Sequence, residues 1–246
     1  MRLTIIYISV LVLFAGCKKE QLDDCFSRTG EDRSIERPLK EFDRISVGDR
    51  FEVILSQDTS RPERIIITGG EKILEGISAE VENGELILKN CNRCNFVRSY
   101  KRTVTLEVFL HDISELTVFG AATIRTSDTL NLNSLRINHS ALEDINLQIN
   151  TPGEIFVESI NSGATTLSGK AFKLSGSIEE ITDMDARNLV CKEVIFDSHS
   201  PLDCFVNATE IIYVGIYGDG NIFYVTEPSA QKSVKERTGK GDLLKL

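Results

Sequence analysis

The cysteines are the first residues whose type and spacing suggest chemistry. The chain has six: Cys17, Cys25, Cys91, Cys94, Cys191 and Cys204. Cys17 follows an apolar run and the small pair Ala15-Gly16, which leave room for a peptidase at the backbone and a thiol free to take an acyl group. The remaining five are an odd number, so at least one stays unpaired even outside the cytosol, where disulfides persist. Cys91-Asn-Arg-Cys94 is a lone CxxC between two expected strands. A zinc site would want a second pair or nearby histidines, and neither is visible. A disulfide, between Cys91 and Cys94 or through Cys25, competes with free thiols there. Cys191 and Cys204 stand 13 apart and serve equally well as a bridge or as buried apolar side chains.

No other set of polar residues adds up to a catalytic centre. The histidines are three, His111, His139 and His199, all expected at the surface. His139 and His199 fall in near-equivalent turns about 14 Å apart, at about 4.8 Å per repeat, too far to share a metal or a proton. Asp183 and Asp185 would present two carboxylates on one side of a strand, as in calcium-dependent lyases. Such pairs are common in exposed turns, however, and the sequence identifies no Lys or Arg partner. Gly215, Gly218 and Gly220 lack dinucleotide spacing and lead into no helix, so they read as turn glycines. No cofactor or metal is expected, and the chain does not read as an enzyme. Two patches are candidates for binding. Tyr213, Tyr217, Phe223 and Tyr224 group aromatics that can stack on sugar rings, although alternate ones must face a core. Arg93, Arg98, Lys101 and Arg102, with Phe96 and Tyr100, form the one basic cluster, which reads as a solvated loop.

The elements around these residues begin with a leader. Met1-Arg2 is a short positive start and Leu3 to Ala15 an apolar run of 13 residues. A membrane-spanning helix needs roughly 18–20, so the run fits a signal-peptide core. Its end, Phe14-Ala15-Gly16-Cys17, resembles the lipobox of bacterial lipoproteins, with Phe14 where Leu is commoner. That resemblance implies residues 1–16 as a lipoprotein signal peptide, palmitate or a related acyl chain on Cys17, and attachment to a membrane through the lipid. Lys18 stands where Asp would signal inner-membrane retention, which favours the outer membrane. The charged run Lys18 to Asp24 resembles surface-export signals, which favours the cell surface over the periplasmic face. Residues 17–36 read as a tether, and residues 37–246 as the folded domain.

That domain reads as all-β. Trp is absent, Met is scarce, and Ile, Val, Thr, Asn and Gly are frequent, a balance that favours strands and turns. Phe42, Ile45 and Val47, then Phe51, Val53 and Leu55, alternate like two strands parted by Gly48-Asp49. Ile65 to Ile67 is a third, Glu71 to Gly76 suits one helical turn, and Asn83-Gly84 marks a hairpin. Thr103 to Leu110 alternates again. Beyond Ile113 the pairs Leu116/Val118, Leu135/Ile137, Ile155/Val157, Phe172/Leu174, Val194/Phe196 and Ile211/Tyr213 recur at intervals of 19, 20, 17, 22 and 17 residues. Second segments follow at Thr123-Ile124, Ile145/Leu147, Thr165/Leu167, Ile181, Phe205-Val206 and Ile222-Phe223. A period near 20 with short strands is that of a single-stranded right-handed β-helix-like solenoid. An antiparallel β-sandwich is the competing fold.

FDRISVGDRFEVIL near the start, VENGELIL in the middle, and VGIYGDGNIFYV followed by ERTGKGDLLKL at the end resemble the autotransporter adhesin "head GIN" domain family, from about Glu41 to Leu246. The resemblance implies a β-helix-like solenoid and an adhesion or binding role. A self-transporting protein also needs a C-terminal barrel, for which no room is expected after the last coil. Charge narrows the partners. With 28 Lys+Arg against 37 Asp+Glu, the formal net charge is −9, which repels nucleic-acid phosphates. No nucleic acid is expected; a glycan or an envelope protein is. Three functions follow: a non-enzymatic surface binding or adhesion module, a structural envelope component, or a polysaccharide-active enzyme on a β-helix.

Overall fold

The structure is a computed structural model and describes residues 29–92, 103–160 and 162–246. Alternating apolar residues set the architecture, because each strand has one side to bury and no partner layer except the next turn of its own chain. The N-terminal part comprises β1 (Asp32–Pro38), β2 (Arg44–Val47), β3 (Phe51–Gln57), β4 (Arg64–Gly70), the single turn α1 (Glu71–Leu74), β5 (Ile77–Glu82), β6 (Glu85–Asn90) and β7 (Val104–Leu110). The chain then coils through β8 (Glu115–Val118), β9 (Thr123–Thr126), β10 (Leu130–Asn131), β11 (Leu135–His139), β12 (Ile145–Asn150) and β13 (Glu154–Ile160). Two long strands, β14 (Thr165–Glu179) and β15 (Met184–Ser198), precede β16 (Cys204–Val206), β17 (Ala208–Ile216), β18 (Ile222–Tyr224), β19 (Gln231–Arg237) and β20 (Leu243–Lys245).

These strands stack in parallel into two walls. One wall runs β2, β8, β11, β13, the second half of β14, the second half of β15, β17 and β19. The other runs β3, β9, β12, the first halves of β14 and β15, then β16, β18 and β20. The result is the expected solenoid, of about six turns. In-register parallel stacking rules out the antiparallel sandwich.

Between the walls lies a dry core built as columns. Ile45, Leu116, Ile137, Val157, Gly176, Phe196 and Val214 succeed one another in register. Gly176 has φ +128, and a Cβ there would collide with the Val157 carbonyl. The missing side chain leaves room beside the fully buried ring of Phe196. The six inward residues expected at Leu135, Ile137, Ile155, Val157, Val194 and Phe196 are all buried.

Three positions correct the sequence reading. Ile212 and Val214, not Ile211 and Tyr213, face the core, because β17 carries a register shift between its pairings with Cys191 and Glu193. One extra residue reverses which side chains point inward. Phe172 is exposed where β14 bends from one wall to the other, so only Leu174 of that pair is inward. Ile181 is exposed in a turn, and Met184 occupies the inward site instead.

Both ends of the solenoid are closed. At the N-terminal end β1, β4 and β7 pair antiparallel, as do β5 and β6 across the Asn83-Gly84 turn with φ 51 and 79. β1 takes in residues 32–36, which the sequence assigned to the tether. At the other end, Lys232 and Arg237 stand in register with buried Ile212 and Ile216. Lys232 pairs with Glu227 and Arg237 with Asp242. Charged residues on this last strand discourage another chain from adding to the sheet edge.

Candidate binding surfaces

Cys17, Cys25 and Cys94 lie outside the described residues, as do Arg93, Phe96, Arg98, Tyr100, Lys101 and Arg102 of the basic cluster. Cys91 is exposed just past β6. Cys191 and Cys204 are free, buried thiols rather than a bridge. Burial pushes the pKa of each up to about 12, which holds them protonated and unreactive.

His139 is not a surface residue. It is 2% exposed and belongs to the column of Val118, Ser159 and Ile178. Its Nδ1 lies 3.0 Å from Thr165 Oγ1 and its Nε2 2.9 Å from the Glu143 carbonyl. Ser159 Oγ lies 3.4 Å from the same Thr165 hydroxyl. These partners are what allow a polar ring inside an apolar core, and burial lowers the His139 pKa. His111 and His199 are at the surface: the first bonds the Arg61 carbonyl, the second stacks on Tyr217.

Asp183, just before β15, and Asp185 within it flank inward Met184. The sequence found no cation for them, yet Arg187 pairs with Asp185 at 2.8 Å. Two residues apart, Arg187 and Asp185 share the outward side of β15 and flank inward Ala186. Arg187 also lies over the Phe205 ring at 3.8 Å. Desolvation raises the Asp183 pKa, helped by the nearby charges of Asp144 and Asp185. Among the described residues no group of three or more His, Cys, Asp and Glu is placed to hold a metal.

The aromatic group near the C-terminal end is divided. Tyr224 is buried, while Tyr213 is 37% exposed on one wall and Phe223 stands on the other. Phe223 stacks on Phe205 with centroids 5.4 Å apart, and Tyr217 on His199 at 4.4 Å. Parallel in-register stacking makes these ladders, and it turns ring faces toward neighbouring coils. A sugar needs a free ring face to stack on, so the ladders offer it little beyond their edges.

The corner that joins the first wall to the second is the most regular part of the solenoid. Five residues separate the inward residues Val118 and Ile124, and five separate His139 from Ile145, Ser159 from Thr165, Ile178 from Met184, Ser198 from Cys204 and Ile216 from Ile222. Variation in the repeat therefore falls in the opposite corner. Equal turns stack closely: at Gly218 and Gly220 a Cβ would strike the carbonyls of Ser200 and Leu202 in the turn below. This is why the paired glycines of Gly218-Asp219-Gly220 and Gly239-Lys240-Gly241 recur; Gly218 and Gly220 are turn glycines as expected, whereas Gly215, expected with them, lies inside β17.

Along this corner five successive turns each leave one large apolar side chain in solvent. They are Phe119 (54% exposed), Leu142 (77%), Ile160 (37%), Ile181 (67%) and Leu202 (39%). They stand at the first, third, first, third and fourth positions of their corners, so they are scattered over this side of the solenoid rather than aligned. Sequence reasoning missed them because it placed Ile181 inward and read no phase for the turns.

Fold and surface together define a β-solenoid of stacked parallel turns whose side chains succeed one another in register. The family profile described as "Putative auto-transporter adhesin, head GIN domain" matches residues 41–228, and the chain belongs to that family. No curated protein matches it. Among solved structures, a "putative adhesin" of Bacteroides fragilis has 22% identity and a TM-score of 0.80, covering 88% of this chain and 97% of its own. A second, from Parabacteroides distasonis, has 16% identity and a TM-score of 0.61, with 88% and 98% covered. A third, from Parabacteroides merdae, has 15% identity and a TM-score of 0.57, with 89% and 98% covered. At these identities the likeness is one of fold.

Proposed function

We propose that this chain is a non-enzymatic binding module of the bacterial envelope, held on the outer membrane by acyl chains on Cys17 and displayed at the cell surface as an adhesin. The observation that carries the binding role is one side of the solenoid, where five successive turns each leave a large apolar side chain uncovered. Exposed apolar side chains gathered on one side of a protein mark an interaction surface. Family membership supports adhesion, and the leader ending in Ala15-Gly16-Cys17 supports the anchor. A folded domain fixed by a short tether to a lipid places its side walls and corners, rather than a buried pocket, within reach of partners.

The test compares cells making the chain with cells lacking it, on a glycan array and on immobilised envelope proteins. Attachment that depends on the chain, to the glycan array or to both surfaces, is the expected result. Equal attachment of both cell types to every surface would contradict the reading, and binding confined to envelope proteins would make the chain a structural component instead.

A further inference from the structure

Where β12, β14 and β15 stack, the second wall turns a neutral polar face to solvent. On β12 the inward residues Ile145, Leu147 and Ile149 are buried, and Asn146, Gln148 and Asn150 alternate with them on the outside. Thr166 and Ser168 of β14 stand in register with Asn146 and Gln148, and Asn188 of β15 with Ser168. All six are amides or hydroxyls, in a chain of which 26% of residues are charged. The first wall differs on the same turns, where it presents Glu154, Glu158, Lys173 and Glu193.

The fold leaves these groups unused. Among the described residues none hydrogen-bonds the side chains of Asn146, Gln148, Asn150, Thr166 or Asn188. The Ser168 hydroxyl lies 3.5 Å from the Leu147 carbonyl. Charges at the border are paired. Arg125, in register with Asn146, meets Glu52 at 3.2 Å, and Arg187 meets Asp185 at 2.8 Å. Lys170, in register with Asn150, stands at the margin as a single ammonium.

Resting on the binding-module reading, we infer that this face binds an uncharged polysaccharide. Amides and hydroxyls each donate and accept, as sugar hydroxyls do. Parallel stacking holds them about 4.8 Å apart from turn to turn and about 6.6 Å apart along a strand. The array covers about 10 Å across the turns and about 13 Å along β12, which suits a chain of sugars rather than one ring. Charge decides against other occupants. An apolar partner would strip water from the free amides and return no hydrogen bond. A single ammonium at the margin does not hold a polyanion against a net charge of −9, whether glycan or nucleic acid. A neutral chain leaves no charge uncompensated, and many weak contacts on one cell surface add up.

The experiment uses the full chain in nanodiscs of zwitterionic lipid, with empty nanodiscs as the blank. Beads carry dextran, laminarin, mannan or arabinoxylan, with dextran sulfate and alginate as charged counterparts. At least one neutral polysaccharide should retain the protein, equally at low and high salt, and neither polyanion should. Joint Asn146→Ala, Gln148→Ala and Asn188→Ala substitutions should weaken retention by about tenfold or more. Gln148→Glu with Asn188→Asp keeps the shape, removes the amide donors and should weaken it as well. Glu158→Ala with Glu193→Ala, on the first wall, should leave it unchanged, and thermal melting should show that each variant folds. Retention on none of the four neutral polysaccharides, preference for dextran sulfate over dextran, or indifference to the changes at Asn146, Gln148 and Asn188 would overturn the inference. If chain-dependent attachment of cells to the glycan array persisted in that case, the binding-module reading would stand and only this face would be wrong.

Discussion

The Nδ1 of His139 and the hydroxyl of Thr165 meet at 3.0 Å inside the solenoid, across the corner from one turn to the next. Glu143 contributes a carbonyl to the other ring nitrogen, so both nitrogens of the buried ring have a partner. Burial lowers the His139 pKa in the folded state, opposed by the Glu143 carbonyl and the Asp144 charge. The unfolded chain therefore binds the proton more readily, and stability rises with pH through this window. As pH falls below about 6.5, the ordinary value for histidine, the native state loses stability until the folded group also titrates. Urea midpoints between pH 5 and pH 8 should show this slope for the wild type and a flatter one for His139→Gln. Equal slopes would remove His139 as the cause.

Burial in the columns separates costly substitutions from harmless ones. Ile155→Ala removes a fully buried side chain and should cost about 2–5 kcal/mol. Ile181→Ala, at 67% exposure, should stay within about 0.5 kcal/mol. Chemical denaturation of the two variants checks the difference. Similar losses would mean that the assignment of inward and outward faces is wrong.

Gly176 tests the packing of the columns more finely. With φ +128 and the Val157 carbonyl against its open side, Gly176→Ala adds backbone strain and a clash, together about 2–4 kcal/mol. Shrinking the neighbour with Phe196→Leu should not restore the loss, because the obstacle is the backbone and not the ring. Recovery in the double variant would place the conflict at Phe196.

The buried thiols make a chemical prediction. Cys191 and Cys204, their pKa values pushed up to about 12, should resist a thiol reagent in the native protein at pH 8. Both should react at once in denaturant. Mass-spectrometric mapping of the label reads this directly, and rapid native labelling at either site would contradict their burial.

Much of this fold is legible in the residues. The alternation at Phe42 to Leu55 and at Thr103 to Leu110 gives strands, Asn83-Gly84 gives its hairpin, and the period near 20 gives the coils. Phase was harder. A single irregularity in β17 turns Ile211 and Tyr213 outward, and no local pattern announces it, because Ile211-Ile212-Tyr213-Val214 is apolar in either phase. His139 looked like a turn histidine because Thr165 becomes its neighbour only when turns stack, and the Glu143 carbonyl reaches it only once the corner has folded. The exposed apolar side chains of the corner were hidden for a related reason: Phe119, Leu142, Ile160, Ile181 and Leu202 are far apart in sequence, and only the stacking of the turns brings them to one side of the solenoid. The cation beside Asp185 was two residues away, at Arg187, where strand alternation puts it on the same face, and the sequence reading overlooked it.

The account rests most heavily on display of this solenoid at the cell surface through Cys17. Protease added to intact cells tests it directly, with the domain followed by an antibody and a periplasmic protein as the control for an unbroken envelope. The wild-type domain should be digested while the periplasmic control survives, and Cys17→Ser should abolish both palmitate labelling and membrane association. A wild-type domain protected until the envelope is opened would contradict surface display, and a Cys17→Ser chain that still carries palmitate in the membrane fraction would contradict the anchor.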